Sequence, residues 1–202
     1  MMIKKQWFYP LLATWFLSGV SFANDQQTSH LDHNPFYMGI DWLPANQATL
    51  DSGGISISES GDIGDMGYNL VAGYELNTHR VVKVGLEAEY RQFGDVSVFD
   101  SLTLEGQGVF INVKPKFIVE YEQVDVYVAL LAGLGRLDVK AKIPSIGFSE
   151  STTETAYQFG AELGFRLTSH WDVHLGYRAA KLSDDQLDIQ FDGGYVGARY
   201  AF

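Results

Sequence analysis

The sequence predicts an all-β protein, an eight-stranded antiparallel up-and-down transmembrane β-barrel preceded by a cleaved signal peptide. Three observations carry this prediction. Eight segments alternate apolar and polar residues with a period of two, which separates the two faces of a strand. The connections between them alternate short and long, as in a series of hairpins. The chain also begins with a stretch typical of exported proteins.

Composition narrows the class further. The 202 residues make about one domain, and the formal net charge of −11 argues against nucleic-acid binding. The chain has no cysteine, so disulfides do not hold this exported protein together. The mean hydropathy of −0.05 is compatible with a transmembrane barrel, because half of each strand faces a polar interior.

The first residues have the three parts of a signal peptide. Basic Lys4 and Lys5 precede an apolar run from Trp7 to Val20, and Ser21-Phe22-Ala23 fits the small-x-small pattern before a cleavage site. We predict cleavage between Ala23 and Asn24. The alternative, an uncleaved anchor, is disfavoured because a spanning helix needs about 20 apolar residues.

This cleavage divides the chain into a signal peptide at 1–23, a polar periplasmic lead-in at 24–34 and a barrel domain at 35–202. Strand 1 is predicted at 35–43, followed by a long loop from Pro44 to Asp65 that is rich in glycine, serine and acids. Strand 2 is predicted at 66–76. The apolar faces of these two strands consist of Phe36, Met38, Ile40 and Trp42, and of Tyr68, Leu70, Ala72, Tyr74 and Leu76.

Strand 3, at 81–93 after a tight turn at 77–80, carries the most informative pattern. One face consists of Val82, Val84, Leu86, Ala88 and Tyr90, and the other of Lys83, Gly85, Glu87, Glu89 and Arg91. A barrel in water would bury its apolar face and expose the charged one. In strand 3 every listed position of the polar face except Gly85 is charged. We therefore place this face inside the barrel and the apolar face against lipid.

A loop at 94–101 leads to strand 4, which is predicted at 102–119. A turn at 120–123 connects it to strand 5 at 124–139. The upper half of strand 4 is irregular enough to allow a β-bulge. Their outward residues are Val109, Ile111, Val113, Pro115 and Phe117, and Val124, Val126, Val128, Leu130, Ala132 and Leu134.

A long loop at 140–153 leads to strand 6, which is predicted at 154–167. A tight turn at 168–170 connects it to strand 7 at 171–182. A last loop at 183–190 leads to the closing strand, which ends at Phe202. Their outward residues are Thr155, Tyr157, Phe159, Ala161, Leu163, Phe165 and Leu167, then Trp171, Val173, Leu175, Tyr177 and Ala179, then Gly194, Val196, Ala198, Tyr200 and Phe202.

Two regularities support a bilayer location. No formally charged residue is assigned to the apolar face of any predicted strand, and Arg or Lys on the lipid face costs about 2–4 kcal/mol at the midplane. An even strand number with short turns at one end places both termini in the periplasm and the four long loops outside the cell. Aromatic residues at strand ends are predicted to form interfacial girdles: Trp42, Tyr90, Phe93, Tyr121, Trp171 and Phe202.

Four stretches carry a resemblance to a known family: 73–76, 85–90, 165–167 together with 171–178, and 196–202. They resemble the small eight-stranded outer-membrane barrels, the OmpA transmembrane-domain and OmpX-like porin family. The resemblance implies that Tyr200 and Phe202 form the signal read by the barrel-assembly machinery. It also implies a monomer in the bacterial outer membrane, surrounded by lipid and lipopolysaccharide, with a structural or surface-interaction role such as adhesion to host molecules.

The inward charges form the candidate site. An eight-stranded barrel has an interior that side chains can fill, and we predict a salt-bridge network that plugs it. Its members are Glu75, Lys83, Glu87, Glu89, Arg91, Lys114, Lys116, Glu162, Arg166, Asp172, Arg178 and Arg199. If Leu76 pairs with Val82, Glu75 lies opposite Lys83; if Leu167 pairs with Trp171, Arg166 lies opposite Asp172 and Glu162 diagonal to Arg178.

Other functions have weaker support. A narrow porin-like channel, opened by switching of these ion pairs, is the main alternative, and a soluble exported barrel is a second. We predict no enzyme activity, since His174-Leu175-Gly176 does not match the His-x-Ser arrangement of outer-membrane lipid A deacylases. No metal site or cofactor is predicted, because Asp62-Ile63-Gly64-Asp65 lacks the ligand spacing of a calcium loop.

Overall fold

The computed structural model describes residues 34–44, 47–52, 55–60, 66–98, 102–121, 124–143, 148–183 and 188–202. The predicted signal peptide at 1–23, its cleavage site between Ala23 and Asn24, and the lead-in up to residue 33 lie outside the described residues. Within these ranges, no helix has the length and apolarity needed to cross a membrane.

Alternating apolar and polar residues produce an all-β chain, because a strand is the conformation that separates them onto two faces. The strands are β1 Phe36–Leu43, β2 Gln47–Ser52, β3 Ile55–Ser60, β4 Gly67–Leu76, β5 Val82–Gln92, β6 Val96–Val98, β7 Leu102–Glu120, β8 Asp125–Ile143, β9 Phe148–Arg166, β10 Trp171–Ser183 and β11 Asp188–Ala201.

Eight of these strands close into an antiparallel ring in the order β1-β4-β5-β7-β8-β9-β10-β11, and pairing of β11 with β1 completes it. The predicted eight-stranded up-and-down barrel is therefore confirmed. We call the end that carries the short turns, together with Asn34 and Phe202, the turn end, and the opposite end the loop end. Closure leaves the ring without a free edge, as a barrel in lipid requires.

The predicted long loops are partly wrong, because strands continue through them. The segment predicted as a loop at Pro44–Asp65 contains the hairpin of β2 and β3, and the loop at 94–101 contains β6. Strands β8 and β9 extend to Ile143 and back from Phe148, so most of the loop at 140–153 is strand, and β10 and β11 similarly take up much of 183–190. Backbone pairing does not depend on side-chain polarity, so the ladder continues where the apolar pattern stops.

The expected bulge in strand 4 is also misplaced. Strand β7 keeps one constant register with both neighbours in the described residues. The extra residue lies on its partner instead: Gln92 pairs with Gln107 and Val96 with Leu104, so three residues of one strand face two of the other. A one-residue insertion swaps the faces, and Val96 consequently points inward.

The outer surface carries an apolar belt. Large apolar side chains are exposed on all eight ring strands, including Ile40, Leu70, Leu86, Ile111, Leu130, Phe159, Leu175 and Val196. Of the predicted girdle residues, Trp42, Tyr121, Trp171 and Phe202 are exposed, whereas Phe93 is fully buried in the lumen and does not belong to the girdle. Such a belt is stable only in contact with lipid.

Above the belt, the polarity of the strands inverts. On β8 the outward residues change from Leu134 to Arg136 and Asp138, while the inward Leu137 and Val139 are buried. The statement that no charge lies on an apolar face is therefore wrong for β8. Strands β7, β8 and β9 have 19 residues each, about twice the ~9–11 needed to cross a bilayer. Their loop-end halves leave the lipid and take the inside-apolar pattern of a barrel in water.

Candidate functional site

The lumen has two zones. The zone from the turn end to the middle contains charged and polar side chains, which we call the ion-pair network. The zone at the loop end contains only apolar side chains among those described, which we call the apolar cluster. The boundary between the zones coincides with the inversion of strand polarity on β9, where the inward residues change from Gln158 to Ala156 next to the outward change from Tyr157 to Thr155.

The structure buries all twelve sequence-predicted lumen residues in the barrel interior. Among the described residues, seven basic and seven acidic side chains are buried there, so the network is balanced in formal charge. The basic ones are Lys83, Arg91, Lys114, Lys116, Arg166, Arg178 and Arg199, and the acidic ones are Asp41, Glu75, Glu87, Glu89, Asp125, Glu162 and Asp172.

Glu75 organises the group nearest the turn end. Its carboxylate accepts from Lys116 Nζ at 2.6 Å and Arg166 Nη2 at 3.1 Å, and Lys83 Nζ lies 3.7 Å away. The predicted register is wrong here: Leu76 pairs with Val84, so Gly85 lies opposite Glu75. The longer turn, in which His79 N donates to Val82 O, displaces the pairing by two residues. The Glu75–Lys83 pair is consequently diagonal.

The second predicted hairpin has the expected register. Arg166 lies directly opposite Asp172, with Nε and Oδ1 3.4 Å apart. Glu162 lies opposite Gly176, which places it diagonal to Arg178. The guanidinium of Arg178 nevertheless points elsewhere, since its Nη1 donates to Glu89 at 2.7 Å. Register alone fixes which residues are neighbours but not which partners long side chains choose.

The centre of the network is built on Glu162. Arg199 donates to both of its oxygens, and Lys114 Nζ lies 3.3 Å from Oε2 and 2.7 Å from Glu87 Oε1. His174 bonds Asp41 Oδ1 through Nε2 at 2.7 Å. Bidentate and bridging contacts of this kind are the geometry that offsets the cost of burying charge.

Towards the loop end, the network ends in amides and one isolated cation. Glu89 accepts from Asn112 Nδ2 at 2.6 Å, from Gln158 Nε2 at 2.9 Å and from Arg178. Arg91 is fully buried, and none of its guanidinium nitrogens has a hydrogen-bond partner among the described residues. Its guanidinium instead lies 4.3 Å from the centroid of the Phe93 ring.

Three tyrosines were missed as site residues. Tyr37, Tyr127 and Tyr195 lie inside the lumen directly opposite Gly73, Gly164 and Gly176 on neighbouring strands. Each ring lies across its glycine, and each hydroxyl donates to a network carboxylate, Glu87 for the first and Glu162 for the other two. The sequence signal is an inward tyrosine whose cross-strand partner is glycine.

The apolar cluster was missed as well. Its fully buried aromatic members are Phe93, Phe110 and Phe191, and the rings of Phe93 and Phe191 lie 4.8 Å apart between centroids. The other members are Ala48, Val96, Leu104, Leu137, Val139, Ala156, Ala180, Leu182 and Ile189. The available signal was strand parity, because Phe110 lies on the same face as Asn112 and Lys114.

The outer surface above the belt is polar. On β8 it presents Arg136, Asp138, Lys140 and Lys142, and on β9 the cross-strand partners Thr155, Thr153, Ser151 and Ser149. Thr153 Oγ1 donates to Asp138 Oδ2 at 2.7 Å, and Lys142 forms an ion pair with Glu105 of β7. This surface, which we call the hairpin face, consists of rows of charges and hydroxyls on paired strands.

Comparison with known proteins gives three findings. Residues 12–202 match the family described as outer membrane protein beta-barrel domain. The attachment invasion locus protein of Yersinia pseudotuberculosis serotype I is 31% identical over 139 residues, which cover 67% of this chain and 71% of that protein. Neisserial surface protein A shares the fold with a TM-score of 0.52 at 14% identity, covering 84% of this chain and 98% of its own.

Proposed function

Since this chain belongs to the outer membrane protein beta-barrel family, we propose that it is a surface-interaction protein that presents its loop end to the medium outside the cell. The protein is anchored by its apolar belt in the outer membrane. It contacts host surface molecules through the loop end and acts as an adhesin. The observation that carries this proposal is the hairpin face, a polar β-surface that stands beyond the belt on strands about twice as long as a bilayer requires.

The relative from Yersinia pseudotuberculosis supports the same role, because its name refers to attachment and invasion. Recognition by loops and strand ends on a rigid scaffold is the usual division of labour in such folds. The segments that make these contacts are the four long connections predicted from the sequence, at 44–65, 94–101, 140–153 and 183–190. We include no catalysis in this role, and no metal or cofactor.

The proposal includes the export and membrane steps. Residues 1–23 act as a signal peptide cut between Ala23 and Asn24, and residues 24–34 lead into a barrel domain at 35–202. Both termini then lie in the periplasm. Tyr200 and Phe202, which point outward and are in edge-to-face ring contact, are the residues read by the assembly machinery. Arg136 and Lys140 lie just above the belt, where they can meet the phosphates of lipopolysaccharide.

In the proposed function the lumen is closed and takes no part in adhesion. Charge balance and hydrogen bonding of the network favour a plug over a path for ions. The narrow porin-like channel is the competing function. Planar-bilayer recording of the refolded protein separates the two: we expect no single-channel events, and regular conductance steps would establish the channel instead.

Adhesion is tested by bacteria that produce either the wild type or the triple variant Asp138→Ser, Lys140→Ser, Lys142→Ser. These substitutions change the hairpin face without touching the lumen or the belt. We expect binding to cultured epithelial cells to rise above that of the empty-vector strain with the wild type and to fall with the variant. The matched control Thr78→Ser, His79→Ser alters the turn end and leaves binding unchanged.

Gel mobility with and without boiling of outer-membrane fractions shows that each variant is folded. Wild-type binding equal to that of the empty-vector strain would exclude adhesion to these cells. Recovery of the protein in the soluble fraction would exclude the membrane location.

A further inference from the structure

The apolar cluster occupies the loop end of the lumen and takes its side chains from six of the eight ring strands, all except β1 and β4, and from β2 and β6. Its members come from β2, β5, β6, β7, β8, β9, β10 and β11 or the residues directly following them. The side chains of Phe110, Leu137 and Phe191 are fully buried, and the rings of Phe93 and Phe191 are in contact. Apolar side chains from all these strands therefore meet in one buried cluster at the loop end of the lumen.

This cluster lies directly on top of the ion-pair network. Phe110 is one inward position above Asn112 on β7, Ala156 is one above Gln158 on β9, and Ala180 is one above Arg178 on β10. On β7, β9 and β10 at least one apolar side chain therefore separates the ion-pair network from the loop end.

We propose that the apolar cluster is a seal that keeps water and ions out of the polar lumen from the loop end, independently of the ion-pair network. The inference rests on the closed lumen of the proposed function and names a second barrier within it. Hydrophobic constrictions stop ions by excluding the water that an ion must carry with it. The network alone is a different kind of barrier, since charged side chains can exchange partners and admit water.

Arg91 adds to this barrier. Its guanidinium lies on the Phe93 ring at the boundary between the two zones, without a hydrogen-bond partner among the described residues. A cation that approaches from the loop end would meet this charge immediately beneath the apolar cluster. The seal therefore combines exclusion of water with repulsion of cations.

The chain has no cysteine, so one introduced thiol reports water access without interference. The reporter is Gln158→Cys, at a buried position just beneath Ala156. Protein refolded in nanodiscs is treated with a small charged methanethiosulfonate reagent, and the labelling rate is measured by mass spectrometry. With the cluster intact we expect slow labelling, and with Phe110→Ala, Phe191→Ala we expect a rate at least about tenfold higher.

Three matched variants interpret this result. Phe159→Ala removes an equally large ring from the lipid face and leaves the rate unchanged. Glu89→Gln loosens the network next to the reporter and changes the rate by less than about twofold if the cluster is the barrier. Thr153→Cys, exposed above the belt, is labelled rapidly in every background. Where the double variant does not fold, Phe110→Ala alone takes its place.

A labelling rate of the Gln158→Cys reporter that the phenylalanine variants do not raise overturns the proposal, whether or not Glu89→Gln raises it. This result does not depend on adhesion. Conductance of the wild type would refute the closed lumen itself, whereas a labelling rate that is equal with and without the phenylalanine rings in a non-conducting barrel refutes only the seal.

Discussion

Arg199 of β11 binds Glu162 of β9 through two parallel hydrogen bonds, Nη1 to Oε1 at 2.7 Å and Nη2 to Oε2 at 2.8 Å. The two strands are not neighbours, because β10 lies between them. The pair therefore connects second-neighbour strands through the lumen, and Lys114, Tyr127 and Tyr195 add contacts to the same carboxylate. A fork of this geometry is among the strongest ion pairs that proteins form.

Loss of this fork is expected to be costly. Arg199→Met leaves the carboxylate of Glu162 buried with fewer partners, and removal of one member of a buried pair typically costs about 3–5 kcal/mol. We expect a comparable loss in the free energy of unfolding, measured by urea titration in lipid vesicles. The control is Arg80→Met, which removes an exposed pair with Glu120 at the turn end and costs about 0–1 kcal/mol. Equal losses in the two variants would contradict the role of the fork.

Arg91 is expected to behave in the opposite way. Its guanidinium is as deeply buried as that of Arg199 but has no hydrogen-bond partner among the described residues. Replacement by methionine removes the desolvation cost and breaks no hydrogen bond among the described residues, although it loses the contact with the Phe93 ring and the attraction to Glu89. We expect Arg91→Met to be neutral or to stabilise by up to ~1–4 kcal/mol, as hydrophobic replacement of a poorly compensated buried charge often does. A loss of about 3 kcal/mol or more, as for Arg199→Met, would reveal a partner.

The barrel itself could be predicted from the sequence because its belt obeys a simple rule. Residues 82–91 and 171–179 show the period of two without interruption, and one charge on the wrong face is costly in lipid. The bounds β5 Val82–Gln92 and β10 Trp171–Ser183 follow the predicted strands at 81–93 and 171–182 closely. The same parity identified the inward charges, such as Glu87 and Arg178, without any structural information.

The loop-end half could not be predicted in the same way. Once the strands leave the lipid, water contacts the outer face, and the pattern inverts from Leu134 to Arg136 on a strand that does not end. A sequence criterion based on apolar outward residues takes that change for the end of the strand. Partner choice was also out of reach, because Arg178 binds Glu89 across the lumen rather than its diagonal neighbour Glu162.

The cross-strand pairs of tyrosine and glycine make a further prediction. A Cβ added at Gly164 would lie 2.1 Å from Cζ of Tyr127, so Gly164→Ala must displace the ring and its hydrogen bond to Glu162. We expect a loss of about 1–3 kcal/mol in the free energy of unfolding, the usual cost of overpacking. Gly194→Ala is the matched control, because its Cβ would meet only the carbonyl of Gly176 at 3.8 Å. Relief of the loss in the double variant Gly164→Ala, Tyr127→Ala would identify the ring as the cause.

The position of the belt in the membrane is tested by two arginines on the same face of β7. Ile111 is 64% exposed within the apolar belt, whereas Gln107 lies four residues nearer the loop end, where the outward residues are polar. Arginine on the lipid face costs about 2–4 kcal/mol at the midplane and about 0–1 kcal/mol near the interface. We therefore expect Ile111→Arg to lower the free energy of unfolding in lipid vesicles by that larger amount and Gln107→Arg to leave it nearly unchanged. Equal costs at the two positions would show that the polarity inversion on β7 does not mark the edge of the bilayer.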